Sequence, residues 1–247
     1  MAKSGSARLT PLPLGPSPNK LLAALPALEY QRILPTLTTV SLKLKQILHK
    51  NREPIRTVYF PGGGVCSITN IMDDGRMVEV ATIGREGFVG ITAFTGDGIA
   101  IGDAFVRVPN GEGQSMSVEA FRQELNRRGA FYDVIARYSQ AHLALVMQSI
   151  GCNALHLVEE RCARLLLMTQ DRVGRNEFQL THESLSMMLG VRRPTVTLVL
   201  GTFHKAGIVN NGSKKITVLD RERLQKLSCE CYRVVKDTFT HLLPDSK

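Results

Sequence analysis

The chain has 247 residues, carries a formal net charge of +9 and contains five cysteines. This length suffices for a hydrophobic core without metal ions or disulfides, and the positive charge favours a polyanionic partner, either nucleic acid or an anionic membrane. No apolar run reaches the roughly 18 residues of a membrane span, and the cysteines show no CxxC pair or zinc-finger spacing, so we predict a cytoplasmic protein without membrane contact, cofactor or metal site.

The first part of the chain is predicted to be a flexible arm, because residues 1–18 end in PLPLGPSP and are rich in Pro, Ser and Gly. From Asn19 to about His49, apolar residues recur at helical spacing, interrupted by Pro26 and Pro35. This pattern predicts short, broken helices at the start of the first folded domain.

The pattern changes to short β-rich runs between Pro54 and Val118. The runs, each followed by a turn that contains glycine, are Thr57–Phe60, Val65–Ile71, Met77–Ile83, Phe88–Ile91 and Ala104–Val108. Many short strands at this spacing are typical of a closed β-roll or a β-sandwich. We assign residues 19–128, including the helices before the strands, to one domain.

A long helical pattern without proline extends from Glu119 to Val173. Within it, six residues recur at alternating steps of three and four, the spacing of a coiled-coil seam. They are Ile135, Tyr138, His142, Leu145, Ser149 and Cys152. From periodicity, this stripe packs either against the chain's own β-roll or against a second copy of the same helix.

The segment after this helix has the pattern of a helix-turn-helix. A short strand at Phe178–Leu180 precedes a helix that Thr181 can cap. Gly190 then provides the left-handed conformation in which a helix can end, and a second helix follows from Arg193 to Lys205. With the small Ser186 where the two helices would cross, these features predict a helix-turn-helix.

Two β-branched runs follow the second helix. Ile208–Val209 and Ile216–Leu219 flank an Asn-Gly turn, the strongest hairpin signal in the chain. A hairpin directly after a helix-turn-helix is a wing, and Lys214 and Lys215 are expected near its tip. We assign residues 156–247 to a winged helix-turn-helix domain whose second helix enters the DNA major groove while the wing lysines reach phosphates.

The segment LTHESLSMMLGVRRPTVTLVLGTFHKAGIV, residues 180–209, resembles the DNA-binding motif of the Crp/Fnr superfamily of transcription regulators. The likeness extends over about residues 20–230. It implies an α+β fold with a cyclic-nucleotide-binding-like β-roll as sensor, a dimerisation helix over residues 129–155 and a C-terminal reading head. The expected partners are double-stranded DNA, a second copy of the chain and RNA polymerase.

The resemblance also implies which residues contact DNA. Arg193 occupies the position that typically donates to guanine O6 and N7, and Thr195 the position that typically contacts phosphate. Pro194 and Leu198 replace the family's usual Glu and second Arg, so we expect an unusual operator half-site. For Arg192, a solvated charge is the alternative. The predicted DNA-contacting residues are Arg192, Arg193, Thr195, Thr197, Leu198, Lys205, Lys214 and Lys215.

The sensor positions differ from those of family members that bind cyclic nucleotides. The ribose-binding Glu corresponds to Ile91 and the phosphate-binding Arg to Gly102, while Asp103 would repel an anion. We therefore expect no binding of cyclic AMP in the usual way, and the effector is unknown. The residues predicted for a different effector are Arg85, Gly90, Thr92 and Asp103, although a charged turn also explains Arg85.

Other chemistries find little support in the sequence. The first cysteine is Cys66, so no early group of cysteines is available for an iron–sulfur cluster. His49, His142 and His156 are expected to be surface or structural residues rather than haem or metal ligands. Because G-x-S-x-G, P-loop, HExxH and Rossmann motifs are absent, we predict that the protein is not an enzyme. The alternative function is a ligand-binding regulatory subunit that acts on a protein partner.

Overall fold

The structure, a computed structural model, describes residues 17–212 and 214–243, so most of the predicted arm lies outside the described residues. At the end of that arm, Ser17 is buried, and its hydroxyl donates to Oε1 of Gln114 at 2.5 Å. The prediction of a flexible arm up to residue 18 is therefore wrong for Ser17, which packs on the folded domain.

The N-terminal segment is only partly helical. Its elements are α1 (Lys20–Ala23), α2 (Ala27–Ile33), a 3-10 turn (Leu34–Thr36), β1 (Thr38–Ser41) and β2 (Ile47–His49). The predicted helices up to His49 are thus wrong for the last third of the segment. The β-branched residues of β1 favour an extended chain, and both strands pair with later strands, which overrides the helical spacing.

The β-roll adds the elements β3 (Thr57–Pro61), β4 (Val65–Ile71), β5 (Met77–Ile83), α3 (Thr92–Thr95), β6 (Asp103–Val108) and β7 (Glu112–Ser117). Its strands form two antiparallel sheets, in the orders β1-β7-β3 and β2-β6-β4-β5. The predicted strand Phe88–Ile91 is wrong: Val89 makes one isolated bridge with Tyr59. Gly90 follows with φ +118°, which ends the extended chain before α3.

Three helices come next, α4 (Val118–Asn126), α5 (Ala130–Leu155) and α6 (Val158–Val173). An aromatic cluster holds α4 and α5 on the β-roll. The ring centroid of Phe88 lies 5.5 Å from that of Phe121 and 5.1 Å from that of Tyr138. These rings are fully buried, so α5 begins on the roll and extends from it towards the C-terminal part of the chain.

The C-terminal part contains β8 (Glu177–Gln179), α7 (His182–Leu189), α8 (Arg193–Lys205), β9 (Val209–Asn211), β10 (Lys215–Val218), α9 (Arg221–Leu227) and α10 (Cys231–Leu242). Its three strands form one sheet in the order β8-β10-β9. The last helix, α10, returns to the first domain and packs along α5, where Phe239 lies 6.4 Å from Tyr138 between ring centroids. Among the described residues, no helix combines the length and the apolar character that crossing a membrane requires.

Candidate nucleic-acid interface

The helix-turn-helix is formed by α7 and α8. Thr181 caps α7, since its Oγ1 accepts a hydrogen bond from the backbone N–H of Ser184 at 3.1 Å. Gly190 has φ +64°, and the N–H of Val191 donates to the carbonyl of Ser186 at 3.0 Å. This left-handed cap ends α7 within one residue and lets α8 cross it, as the sequence predicted.

One face of α8 is buried and the other is exposed. The buried face joins the core of the C-terminal domain through Val196, Val199, Leu200 and Phe203. The opposite face exposes Arg193, Thr197, Leu198 and Lys205. The exposed fraction of Leu198 is 74 %. A leucine this exposed contributes little to folding, so it is available for apolar contact such as a thymine methyl group offers.

The start of α8 brings several predicted residues together. Arg192 precedes the helix, Arg193 is its first residue, and both are exposed. Thr195 is half-buried in the first turn. The hydroxyl of Thr197 lies 3.0 Å from Nδ1 of His182, at the start of α7. Partial burial, assisted by the positive charge of Arg193, lowers the pKa of His182. Both effects favour the neutral form of this imidazole.

The wing provides a second basic element. Lys214 lies in the turn before β10 and is exposed. Lys215 is the first residue of β10, and its Nζ lies 2.7 Å from Oε1 of Glu177 on β8. Since both side chains of this pair are more than half exposed, the ion pair contributes little and does not prevent a phosphate contact.

The reading head, by which we mean residues 177–218, is attached to the β-roll. α7 packs against β5. Near the end of α6, the side chain of Arg172 is 8 % exposed, and its Nε lies 2.8 Å from Oε1 of Glu86 in the roll. Nη2 of Arg172 also donates to the carbonyl of Thr82 at 3.1 Å. This buried ion pair fastens the end of α6, which directly precedes the reading head, to the roll.

The structure separates Arg85 from the other predicted effector residues. Arg85 lines a cavity of about 580 Å³ between α1, α5, α6 and α10, and Gly90, Thr92 and Asp103 are not among its lining residues. Thr92 is buried at the start of α3. Oδ1 of Asp103 accepts a hydrogen bond from the backbone N–H of Asn51 at 2.8 Å. The cavity is thus a separate space, next to the long helix.

The predicted dimer seam faces the interior of the chain. Ile135, Tyr138, His142, Leu145 and Cys152 are buried, and Ser149 is half-buried. Their role as a dimer interface is therefore a wrong prediction, because α1, α4, α10 and the β-roll already cover this side of α5. Ile135 and Tyr138 pack on the chain's own roll, as in the alternative interpretation of the periodicity, whereas Cys152 packs against Cys229 and Cys231.

The sequence reasoning missed a second stripe on α5, which we call the outer stripe. Its members are Gln140, Leu143, Met147, Ile150 and Ala154, all exposed. The three large apolar side chains, Leu143, Met147 and Ile150, are 60 %, 64 % and 67 % exposed. The steps of three and four are again those of a coiled-coil seam, and no member is charged. The same periodicity test would have found it, had both faces of the helix been considered.

An exposed second helix after a glycine-capped turn, followed by a three-stranded sheet with a wing, defines a winged helix-turn-helix domain. The sequence model of the Crp-like helix-turn-helix domain matches residues 160–227. This match confirms the resemblance of residues 160–227 to the Crp-like helix-turn-helix domain. None of the curated protein sequences is similar enough to match the chain.

Solved structures show the same fold over most of the chain. A protein from Eubacterium rectale assigned to the Crp/Fnr family is 21 % identical, with a TM-score of 0.65 over 85 % of this chain and 98 % of its own. FixK2 from Bradyrhizobium japonicum is 17 % identical, with a TM-score of 0.64 over 78 % and 98 %. A CRP-family transcriptional regulator from Thermus thermophilus is 18 % identical, with a TM-score of 0.63 over 77 % and 96 %.

These likenesses confirm the predicted α+β fold: a cyclic-nucleotide-binding-like β-roll, a long helix and a C-terminal winged helix-turn-helix. The chain thus shares the fold of Crp/Fnr transcription regulators, and its residues 160–227 are similar to their Crp-like helix-turn-helix domain.

Proposed function

We propose that the protein is a sequence-specific DNA-binding transcription regulator that acts as a homodimer. The observation that carries this proposal is the exposed face of α8, which presents Arg193 and Leu198 next to a basic wing. In the major groove, Arg193 donates to guanine and Leu198 contacts a thymine methyl group. Arg192, Thr195, Lys205, Lys214 and Lys215 supply phosphate contacts.

The homodimer forms through the outer stripe of α5. A stripe of three large, exposed apolar side chains on a 26-residue helix is costly in water, and pairing with the same stripe of a second copy removes it from water. When the two copies of α5 pair in parallel, the two copies of α8 lie on one side of the particle. Their separation must be about 34 Å to match successive major grooves.

The β-roll does not bind cyclic AMP in the usual way. Ile91, at the position of the ribose-binding Glu, packs against the hydrophobic core of the roll. A Cβ atom at Gly102 would lie 2.8 Å from the carbonyl oxygen of Thr69, which leaves no room there for an arginine. Calorimetric titration of the protein with cyclic AMP should give no binding, and a micromolar affinity would refute this part of the proposal.

DNA recognition is tested by selecting bound sequences from a random DNA pool and measuring mobility shifts with the selected duplex. We expect a palindrome whose half-sites are one helical turn apart. Arg193→Ala should lose about 1–3 kcal/mol of base discrimination, a factor of about 5–150. The control is Arg233→Ala, on the exposed side of α10. No retardation near 50 mM salt would instead favour a protein partner.

Dimerisation is tested by light scattering coupled to size-exclusion chromatography. Leu143→Asp combined with Met147→Asp should give a monomer, because two charges are placed in the seam. Leu28→Asp is a matched control, since Leu28 is 81 % exposed on α2, outside the outer stripe. A wild-type monomer, or an unaffected double variant, would refute the assignment.

A cytoplasmic location follows from this function, and contact with RNA polymerase remains a prediction.

A further inference from the structure

A group of four metal-ligating side chains lies where the end of α5 meets the start of α10. Cys152 and His156 come from the end of α5, Cys231 is the first residue of α10, and Cys229 lies two residues before it. The sulfur atoms and one ring nitrogen all lie within 4.8 Å of one another. The three cysteines are buried and the histidine is half-buried. We call these four residues the Cys/His cluster.

The distances within the Cys/His cluster suit a single tetrahedral ion. Sγ of Cys152 lies 3.5 Å from Sγ of Cys229, and Sγ of Cys231 lies 3.6 Å from Nδ1 of His156. Four ligands at about 2.0–2.3 Å from a tetrahedral zinc ion are separated from one another by about 3.5–3.7 Å. Two of the ligand–ligand distances thus have the values that such an ion requires, and since all pairs lie within 4.8 Å, small side-chain movements complete the tetrahedron.

The histidine is oriented as metal-bound histidines are. Its Nδ1 faces the sulfur atoms, while its Nε2 lies 3.2 Å from Oε2 of Glu230. A carboxylate on the second ring nitrogen fixes the tautomer that leaves the first nitrogen free to bind a metal. Gln148 also donates to Sγ of Cys231 at 3.0 Å, which is the kind of hydrogen bond that supports a thiolate. These contacts form an outer shell around the cluster.

We propose that Cys152, His156, Cys229 and Cys231 bind one zinc ion in a closed Cys₃His site. Thiolate and imidazole ligands in a tetrahedral arrangement are selective for zinc among the common divalent ions. On binding, the three thiols release their protons to solvent, and the histidine binds as neutral imidazole. With no fifth ligand position, the site is structural: it fastens α10 to the end of α5, close to the junction with α6.

This proposal does not depend on the proposed DNA binding. Sequence spacing alone did not reveal it, because 77 residues separate Cys152 from Cys229. The sequence-based prediction of His156 as a structural residue is replaced here by a ligand role. The competing chemistry is a disulfide between Cys152 and Cys229, which an oxidant would form and which would remove two of the four ligands.

The test begins with the full chain purified under reducing conditions, stripped with a chelator and titrated with Zn²⁺ or Co²⁺. We expect one ion per chain by elemental analysis. Bound Co²⁺ should show the intense ligand-field and sulfur charge-transfer bands of tetrahedral thiolate coordination. This measurement needs no variant. A spectrum of octahedral Co²⁺, no bound metal, or a Cys152–Cys229 disulfide in the reduced preparation would overturn the proposal.

Variants then locate the site. Cys229→Ser and Cys231→Ser should each lose the tetrahedral Co²⁺ spectrum, whereas Cys162→Ser, at a buried cysteine outside the cluster, should keep it. Glu230→Gln should weaken Zn²⁺ binding about 10–100-fold by removing the outer-shell carboxylate. Glu222→Gln, on the exposed side of α9, is its matched control. Equal loss in Cys162→Ser, or unchanged binding in Cys229→Ser, would contradict the assignment.

Discussion

Replacing Arg172 by methionine tests how firmly the end of α6, which precedes the reading head, is fixed to the β-roll. Methionine keeps much of the length and apolar stem of arginine, so the change removes mainly the guanidinium group. That group makes the ion pair with Glu86 at 2.8 Å and the bond to the Thr82 carbonyl at 3.1 Å, and it also contacts the Thr82 hydroxyl. The side chains of Arg172 and Glu86 are only 8 % and 20 % exposed.

Removing one partner of a buried ion pair costs about 3–5 kcal/mol, because the other charge is left without compensation. Glu86 retains a hydrogen bond from the backbone N–H of Gly84 at 3.0 Å, so we expect the lower value, about 3 kcal/mol. For a chain of this size the corresponding decrease in Tm is about 6–12 °C.

Differential scanning calorimetry measures this decrease. The control is Arg233→Met, whose exposed pair with Asp237 should have no measurable effect. Combining Arg172→Met with Glu86→Gln should restore part of the lost stability, since no unpaired buried charge remains. A Tm within about 2 °C of wild type for Arg172→Met would contradict this prediction, because it would show that the charge of Glu86 does not need the guanidinium group as a partner.

Three further predictions concern single positions. Burial, assisted by the charge of Arg172, lowers the pKa of His142 to about 4, below its ordinary value of 6.5. The folded state thus favours the neutral imidazole, so its contribution to the stability of the fold is complete above pH 6.5 and is lost as the pH falls towards 4. His142→Gln should therefore make the decrease of Tm between pH 6.5 and pH 4 less steep, and an unchanged slope would contradict the assignment. Asn19→Ala should lower the free energy of unfolding by about 2–3 kcal/mol in denaturant titrations, because the buried amide caps α1 and donates to two carbonyls. A loss below about 0.5 kcal/mol would argue against this role of the amide. Gly190→Ala should cost about 1–2 kcal/mol through its left-handed backbone while Gly190→Asn costs less, and equal losses would exclude backbone strain as the cause.

The helix-turn-helix was predictable from the sequence because its signals are local. A capping Thr181, a glycine at the turn and an apolar face each act within one or two helical turns. The predicted bounds of α8, Arg193 to Lys205, are those of the structure. Strands β4 and β5 were equally predictable, since β-branched runs between glycine-containing turns leave few alternatives.

The elements that the sequence did not reveal depend on distant partners. β1 and β2 form because β7 and β6 offer free edges, and those strands lie more than 50 residues later in the chain. The Cys/His cluster likewise joins segments that are far apart in sequence. Local periodicity carries no information on such pairings, because it describes only which side of an element is apolar and not what covers that side.

The long helix α5 shows why the choice of dimer residues failed and what the structure adds. Two stripes on this helix follow steps of three and four: the predicted seam from Ile135 to Cys152, which is the inner stripe, and the outer stripe from Gln140 to Ala154. A helix that is apolar on two faces must be covered on both. The β-roll and α10 cover the inner stripe, so in the proposed dimer the outer stripe is left for the second copy. In the proposed dimer, one helix then contacts the β-roll, the partner copy and the proposed zinc-bound segment at the same time. A ligand in the cavity that Arg85 lines would act directly on α5 and α10, and through them on the distance between the two reading heads.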